Sequence, residues 1–362
     1  KGTTTDPVQK AMELLPVGPV VIIDTPGLDD EGTLGEERVR RARRVLDQTD
    51  IAVLVVDAAA GLSQADRGLT QLFEERHIPY VIAMNKADLV TVPENIPENM
   101  IFVSARENGN IHALKEKIAA LVRSVPPARE LIADLVSPGD AVVLVTPIDS
   151  AAPKGRLILP QQQTIRSLLD AGCIPVVARE TELARTLSLL REPPALVVTD
   201  SQAFGMVSRI VPDSVRLTSF SILFARYKGD LRTAVLGAAA LRQLKDGDTV
   251  LISEGCTHHR QCGDIGTEKL PRWVRQYTGR DIRFVFTSGG EFPENLSPYA
   301  LIIHCGACML GEREMQSRLR RAAEQCIPVT NYGIAIAQIH GILDRALRPF
   351  SALHAEWKKQ QQ

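Results

Sequence analysis

Short apolar runs alternate with longer stretches of helical period along almost the whole chain, and this alternation narrows the possible folds more than any other feature. A run of strand length that is apolar at every position must be covered on both faces, and a parallel neighbour can be reached only through a crossover helix. The pattern therefore predicts an α/β fold with parallel sheets of the doubly wound type, flanked by helices. Residues 20–23, 51–56, 80–84 and 101–103 read as strands, and 34–47, 63–76 and 111–123 as helices, with Ser63 placed to cap the second. Pro126-Pro127 ends this first series, because proline cannot continue a helix and restricts the residue before it.

The alternation resumes after Pro138-Gly139. Strands are expected over 141–145, 174–177, 195–198 and 215–218, separated by helices over 161–170, 181–190 and 231–244. The Asp246-Gly247-Asp248 turn then introduces a strand over 249–252, a cysteine-rich stretch, and helices over 312–324 and 332–345. A chain of 362 residues exceeds one core of ordinary size, so three domains are expected, at 1–126, 131–245 and 246–362. No internal repeat of fixed period is visible.

Composition excludes several functions. Apolar residues make up 44% and charged residues 23%, a globular balance. Lys plus Arg (42) against Asp plus Glu (43) leaves a net charge of -1, and aromatic residues are only 4%, so a nucleic-acid partner is not expected. Apolar runs such as 53–56 and 142–145 fall far short of the roughly 18 residues that span a bilayer, which argues against a membrane protein. The chain begins Lys1-Gly2-Thr3, without an initiator Met or an apolar signal segment, and reads as cytoplasmic and incomplete at its front.

Residues 20–23 run into Asp24-Thr25-Pro26-Gly27. A carboxylate at the carboxyl end of a parallel strand can reach a magnesium ion, and the Gly27 N–H can meet a terminal phosphate, although a plain strand-end turn has the same look. Asn85-Lys86-Ala87-Asp88 is narrower. A carboxylate there accepts both the N1 and N2 protons of guanine, which adenine cannot offer, while the Asn85 amide and the Lys86 stem complete the base site. Ser104-Ala105 follows another apolar strand, and in the small GTP-binding domains that this order resembles the last pair presents backbone N–H groups to the guanine O6. That order reproduces the arrangement of small GTP-binding domains, and Thr3 and Thr4 in Gly2-Thr3-Thr4-Thr5-Asp6 resemble the first switch. The G-x-x-x-x-G-K-[ST] phosphate loop is missing, since no Gly-Lys pair occurs in the chain.

Four of the six cysteines fall between 256 and 308, and clustering of this kind in a cytoplasmic chain points to a metal rather than to disulfides. Cys256-Thr257-His258 and His304-Cys305-Gly306-Ala307-Cys308 form a five-ligand constellation, each part following an apolar strand. Three thiolates fit three positions of a structural zinc site, or three irons of a 4Fe-4S cluster with one position open; spacing alone leaves both standing. Glu254, two residues before Cys256, is a further candidate, because that spacing puts both side chains on one side of an extended segment. Cys262 reads as an exposed loop cysteine, Cys173 and Cys326 as buried small hydrophobes. The middle segment has one cysteine and no histidine, which suggests a structural role.

A G domain in front, a ligand-free middle, and C-x-H followed by H-C-x-x-C resemble over nearly the whole chain the FeFe-hydrogenase maturation GTPases of the HydF family, whose G domain is TrmE/Era-like. Residues 147–149 and 154–160 add to the likeness. The resemblance implies a dimerisation domain in the middle and a cluster domain at the end, with Cys256, Cys305 and Cys308 binding a 4Fe-4S cluster whose fourth site is exchangeable. His258, His304 and Glu254 are then the candidates for that site. It further implies a scaffold or carrier that receives a transient two-iron precursor made with the radical-SAM maturases HydE and HydG and delivers it to the apo-hydrogenase HydA. GTP or GDP with Mg2+, supported by K+, would regulate partner association, and the absent phosphate loop puts hydrolysis by these residues in question. A homodimer or larger oligomer is implied. The competing reading is an RNA-modification or ribosome-assembly GTPase with structural zinc, disfavoured by the neutral charge and scarce aromatics.

Overall fold

A computed structural model describes residues 8–25, 45–124, 130–147, 157–255, 264–289, 291–307 and 310–360. The chain divides into two compact units, Lys1–Pro127 and Ala128–Gln362. Most of the helix expected over 34–47, the Pro126-Pro127 pair, Cys262, and all of 148–156 lie outside the described residues.

In the first unit, β1 (Val8–Leu14) and β2 (Gly18–Asp24) form an antiparallel pair. The strand expected over 20–23 is therefore present, but its described partner is a hairpin neighbour and not a parallel strand, which corrects the setting assumed for Asp24. Gly18, with φ +103°, turns the chain back between them. The partner strand was not foreseen because Gln9, Lys10, Ala11, Met12 and Glu13 all favour helix; pairing with the Val20–Ile23 run overrides that preference. β3 (Ala52–Asp57), β4 (Tyr80–Asn85) and β5 (Met100–Phe102) form a parallel sheet in that order. Helix α1 (Gln64–Glu75) opens with a capping box: Ser63 Oγ accepts from the Asp66 N–H at 3.1 Å and Asp66 Oδ2 accepts from the Ser63 N–H at 2.9 Å. Helix α2 (Ile111–Ser124) lays Ile111, Leu114 and Ile118 on Val81, Ala83, Ile101 and Val103 of the sheet.

The second unit holds two parallel sheets. β6 (Ala141–Val145), β7 (Ile174–Ala178), β8 (Leu196–Thr199) and β9 (Leu217–Ser219) stand in the order β7-β6-β8-β9. β10 (Thr249–Ser253), β11 (Arg283–Thr287), β12 (Leu301–His304) and β13 (Val329–Asn331) stand as β11-β10-β12-β13. Both sheets thus follow one scheme, in which the second strand lies on one side of the first and the third and fourth on the other. The runs Val142–Val145, Leu196–Val198, Val250–Ile252 and Leu301–Ile303 are fully buried, as their uninterrupted apolar character requires.

The helices of this unit are α3 (Leu159–Asp170), α4 (Leu183–Leu189), α5 (Phe204–Ile210), α6 (Phe220–Lys228), α7 (Leu231–Gly237), α8 (Leu270–Thr278), α9 (Glu312–Glu324), α10 (Tyr332–Ile339), α11 (Leu343–Leu347) and α12 (Ser351–Gln360). The helix expected over 231–244 changes at Gly237 into a 3-10 turn, Ala238–Gln243. The one expected over 332–345 is divided between α10 and α11, with Gly341 at φ +70° between them. Ile334, Ala337, Leu343 and Leu347 share one core with Val143, Val197 and Leu217, so the last helices of the chain close over the first sheet of the unit.

Candidate functional site

In the first unit the carboxyl ends of β4 and β5 gather five of the residues singled out for guanine. Asn85 ends β4, and its Oδ1 accepts the Ala105 N–H at 3.0 Å. Ser104 Oγ donates to Asp88 Oδ1 at 2.6 Å, and this hydrogen bond is the main reason the Asp88 carboxyl sits below its ordinary pKa. Lys86, at φ +64°, turns its ammonium to Asp57 Oδ2 at 2.7 Å. Asp57, at the end of β3, was not anticipated, although a carboxylate closing an apolar strand was there to be read; its pKa is lowered first by the Lys86 hydrogen bond. Asn85, Lys86, Asp88, Ser104 and Ala105 thus form one corner, Asp24 ends β2, and Thr3, Thr4 and Gly27 lie outside the described residues.

The second candidate region follows from topology. In an open parallel sheet the crevice lies beyond the carboxyl ends of the two strands at which the chain order reverses. Here those strands are β10 and β12, paired in register with Ser253 opposite His304. β10 leads into Glu254 and β12 into Cys305, so the strand order places the two candidate donors just beyond adjacent strand ends. The Cys305 N–H donates to Ser253 O at 2.9 Å, and Cys305 Sγ accepts the Gly255 N–H at 3.0 Å and the Ala307 N–H at 3.4 Å. Two backbone donors on one sulfur favour its thiolate form.

Glu254 is 3% exposed, and the Tyr332 hydroxyl donates to its Oε1 at 3.2 Å. Burial, followed by the neighbouring Glu254 charge, pushes the Tyr332 phenol far above its usual range, so it stays a donor. Gly266 makes room for this pair: a Cβ there would stand 2.3 Å from the Tyr332 hydroxyl and 2.5 Å from Glu254 Oε1.

His304 is 1% exposed and both ring nitrogens are engaged. Nε2 faces the Arg318 guanidinium at 3.0 Å and must accept, since arginine only donates; Nδ1 then carries the proton and donates to Cys305 O at 2.9 Å. Burial, reinforced by the Arg318 charge, drives the His304 pKa down to about 3, so the ring is neutral at physiological pH. Arg318 also donates to Glu314 Oε1 at 2.6 Å and Gly289 O at 2.7 Å. Tyr332, Arg318 and Glu314 escaped sequence reasoning. The i,i+4 Glu-Arg spacing on α9 was visible, but it is the usual mark of a solvated helix face.

Cys256, His258 and Cys308 lie outside the described residues. Among the described residues, no group of three or more His, Cys, Asp or Glu side chains could hold a metal ion. The donor chemistry that is present still fits an iron-sulfur cluster: a soft sulfur held by backbone N–H groups, and a buried hard carboxylate two residues ahead of Cys256.

Comparison with known families completes the picture. A model described as the Hydrogen maturase F dimerization domain matches residues 131–229, and one described as the Hydrogen maturase F tetramerization domain matches residues 232–349. The chain belongs to the hydrogen maturase F family. Residues 1–86 match a 50S ribosome-binding GTPase model, which supplies this maturase family member with its GTPase domain. The tRNA modification GTPase MnmE of Streptococcus agalactiae serotype III is 32% identical over 121 residues, 33% of this chain and 26% of that protein. The MnmE of Streptococcus pneumoniae serotype 4 is 27% identical over 194 residues, 53% of this chain and 39% of that protein, and that of Streptococcus mutans serotype c is 28% identical over 198 residues, covering 53% and 40%. The matched stretches therefore span well under half of these relatives, and the likeness is to a GTPase of the TrmE type. The two maturase F models are named for dimerization and tetramerization, which supports a homodimer or larger oligomer. Among the described residues no helix is long and apolar enough to cross a membrane.

Proposed function

We propose that the chain is a scaffold and carrier in FeFe-hydrogenase maturation. Cys256, Cys305 and Cys308 would hold a 4Fe-4S cluster, and Glu254 would occupy its exchangeable fourth position. The observation that carries this reading is the placing of Cys305 and buried Glu254 just beyond adjacent strand ends at the switch point of the second sheet, with two backbone N–H groups on the sulfur. When bound, the cluster supplies one iron whose hard, weakly matched ligand can be displaced by an incoming group. Glu254 is preferred to His304, whose ring nitrogens are already bonded to Arg318 and Cys305; His258 remains the other candidate of the motif.

The cargo in this reading is a two-iron precursor assembled with the radical-SAM maturases HydE and HydG and passed to apo-hydrogenase HydA. The G domain would bind GTP or GDP with Mg2+ and K+ through Asn85, Lys86, Asp88, Ser104 and Ala105, with Asp24, Gly27, Thr3 and Thr4 towards the phosphates, and would control association with partners in the cytoplasm. The three domains would be 1–126 for the nucleotide, 131–245 for dimerisation and 246–362 for the cluster.

The test is activation of apo-hydrogenase by the anaerobically reconstituted chain loaded with the two-iron precursor. The wild type should activate it, Cys305→Ala should not, and Glu254→Ala should keep its iron while the spectrum of its reduced cluster differs from that of the wild type. Activation by Cys305→Ala equal to wild type would refute the assignment.

A further inference from the structure

Lys228 is the last residue of α6, within the stretch that matches the dimerisation domain, yet its side chain reaches the cysteine loop of the next domain. Its Nζ donates to Leu310 O at 3.0 Å and makes a longer contact to Ala307 O at 3.5 Å. These two carbonyls bracket Cys308 in the sequence. The ammonium lies 5.9 Å from the Phe224 ring centroid, so its stem is laid along the helix that carries it. Gln316 of α9 ties down the same helix end through Gly229 O at 2.9 Å.

The loop it holds is strained. Ala307 is buried and has φ +53°, a left-handed conformation that a residue with a Cβ adopts at a cost of roughly 1 kcal/mol or more. This turn lies between Cys305 and Cys308, and its N–H is one of the two donors on Cys305 Sγ. Without an external tie Ala307 would relax towards a right-handed conformation, and its N–H would be re-aimed away from Cys305 Sγ. Lys228 and Cys305 also line one cleft, together with Phe224, Ala307 and Asn331. A positive charge therefore stands on the same wall as a thiolate ligand.

We infer that Lys228 is a positioning residue for the cluster, a charged strap by which the dimerisation segment holds Ala307, and through its N–H the sulfur of Cys305, in place. This rests on the cluster reading above. A lysine suits the task because one ammonium has three donors that can be shared between neighbouring carbonyls. Removing the charge should also make the cluster harder to reduce, since the net charge around a cluster helps to set its potential.

The experiment uses the full chain, reconstituted anaerobically, as wild type, Lys228→Met and Lys228→Met with Ala307→Gly. Lys228→Met keeps the apolar stem over Phe224 and removes the ammonium. Iron loss to a chelator and the midpoint potential are measured, with circular dichroism as the check on folding. The expected result is unchanged circular dichroism, about tenfold faster iron loss, and a more negative potential for Lys228→Met. Ala307→Gly relieves the left-handed strain and should bring iron retention back towards wild type without restoring the potential. If Lys228→Met alone does not fold, Lys228→Gln replaces it with the same expected results, because its amide is one bond shorter than the lysine and carries no charge. Iron loss and potential equal to wild type would overturn the proposal and leave the cluster reading standing. A wild type that takes up no iron would overturn both.

Discussion

Replacing Arg318 by methionine should destabilise the second unit by about 3–5 kcal/mol. Its side chain is 4% exposed and that of its partner Glu314 is 10% exposed, so the pair is effectively out of water. Deleting one member of a buried ion pair leaves an uncompensated charge, which costs about 3–5 kcal/mol. Here the loss also takes the donor from His304 Nε2 and from Gly289 O. Those terms, about 1–3 kcal/mol each in isolation, do not add fully once water or a side-chain shift reaches the vacated space. Against a domain stability of about 5–15 kcal/mol the effect is large. The chain has two tryptophans, Trp273 and Trp357, both in the second unit, so urea unfolding followed by their fluorescence reports this unit without interference from the G domain. Adding Glu314→Leu removes the stranded carboxylate, and the double variant should recover at least about 1.5 kcal/mol of the loss. A single variant within about 1 kcal/mol of wild type, or a double variant costing the sum of both singles, would refute the reasoning.

Other consequences are equally direct. Gly237→Ala would place a Cβ 2.0 Å from Val329 O, so α7 must lift from β13; a loss of about 1–3 kcal/mol or more is expected in the same urea assay. Gly266→Ala should push Tyr332 and Glu254 apart, leaving iron content near wild type while changing the spectrum of the reduced cluster; an unchanged spectrum would separate Glu254 from the cluster. Asp88→Asn should weaken the preference for guanine over other purine nucleotides at least tenfold in competition binding, because an amide cannot accept both base protons; retained selectivity would remove Asp88 from the base site.

Much of this architecture was legible where one physical demand dominates. Strands β6, β8, β10 and β12 are apolar at nearly every position because both faces are covered, and their runs stand out in the sequence. That Asn85, Asp88, Ser104 and Ala105 come together was legible for a different reason, since Asn85, Lys86 and Asp88 follow one another on a single turn. Elements whose character is shared with a neighbour were not. β1 is built from helix formers and exists through its pairing with β2. α6 carries Phe220, Ile222, Leu223 and Phe224, all buried, so its pattern lacks the polar face that marks a helix.

The same division runs through the site. Glu254 could be picked out because its relation to Cys256 is local. The engagement of His304 could not, because it depends on Arg318, which α9 brings to β12 from the far side of the cysteine loop. Neither could Lys228, whose link to Leu310 joins residues with no local relation in sequence. The shared strand order of the two sheets is likewise invisible as a sequence repeat, since topology constrains where apolar runs fall and not which residues compose them.

The most direct test of the central claim is iron quantification with electron paramagnetic resonance on the anaerobically reconstituted full chain and on its Cys305→Ala variant. The account predicts about four irons per wild-type chain and a half-integer-spin signal on one-electron reduction, both lost in Cys305→Ala. A wild-type chain that binds one zinc ion and no iron would contradict it.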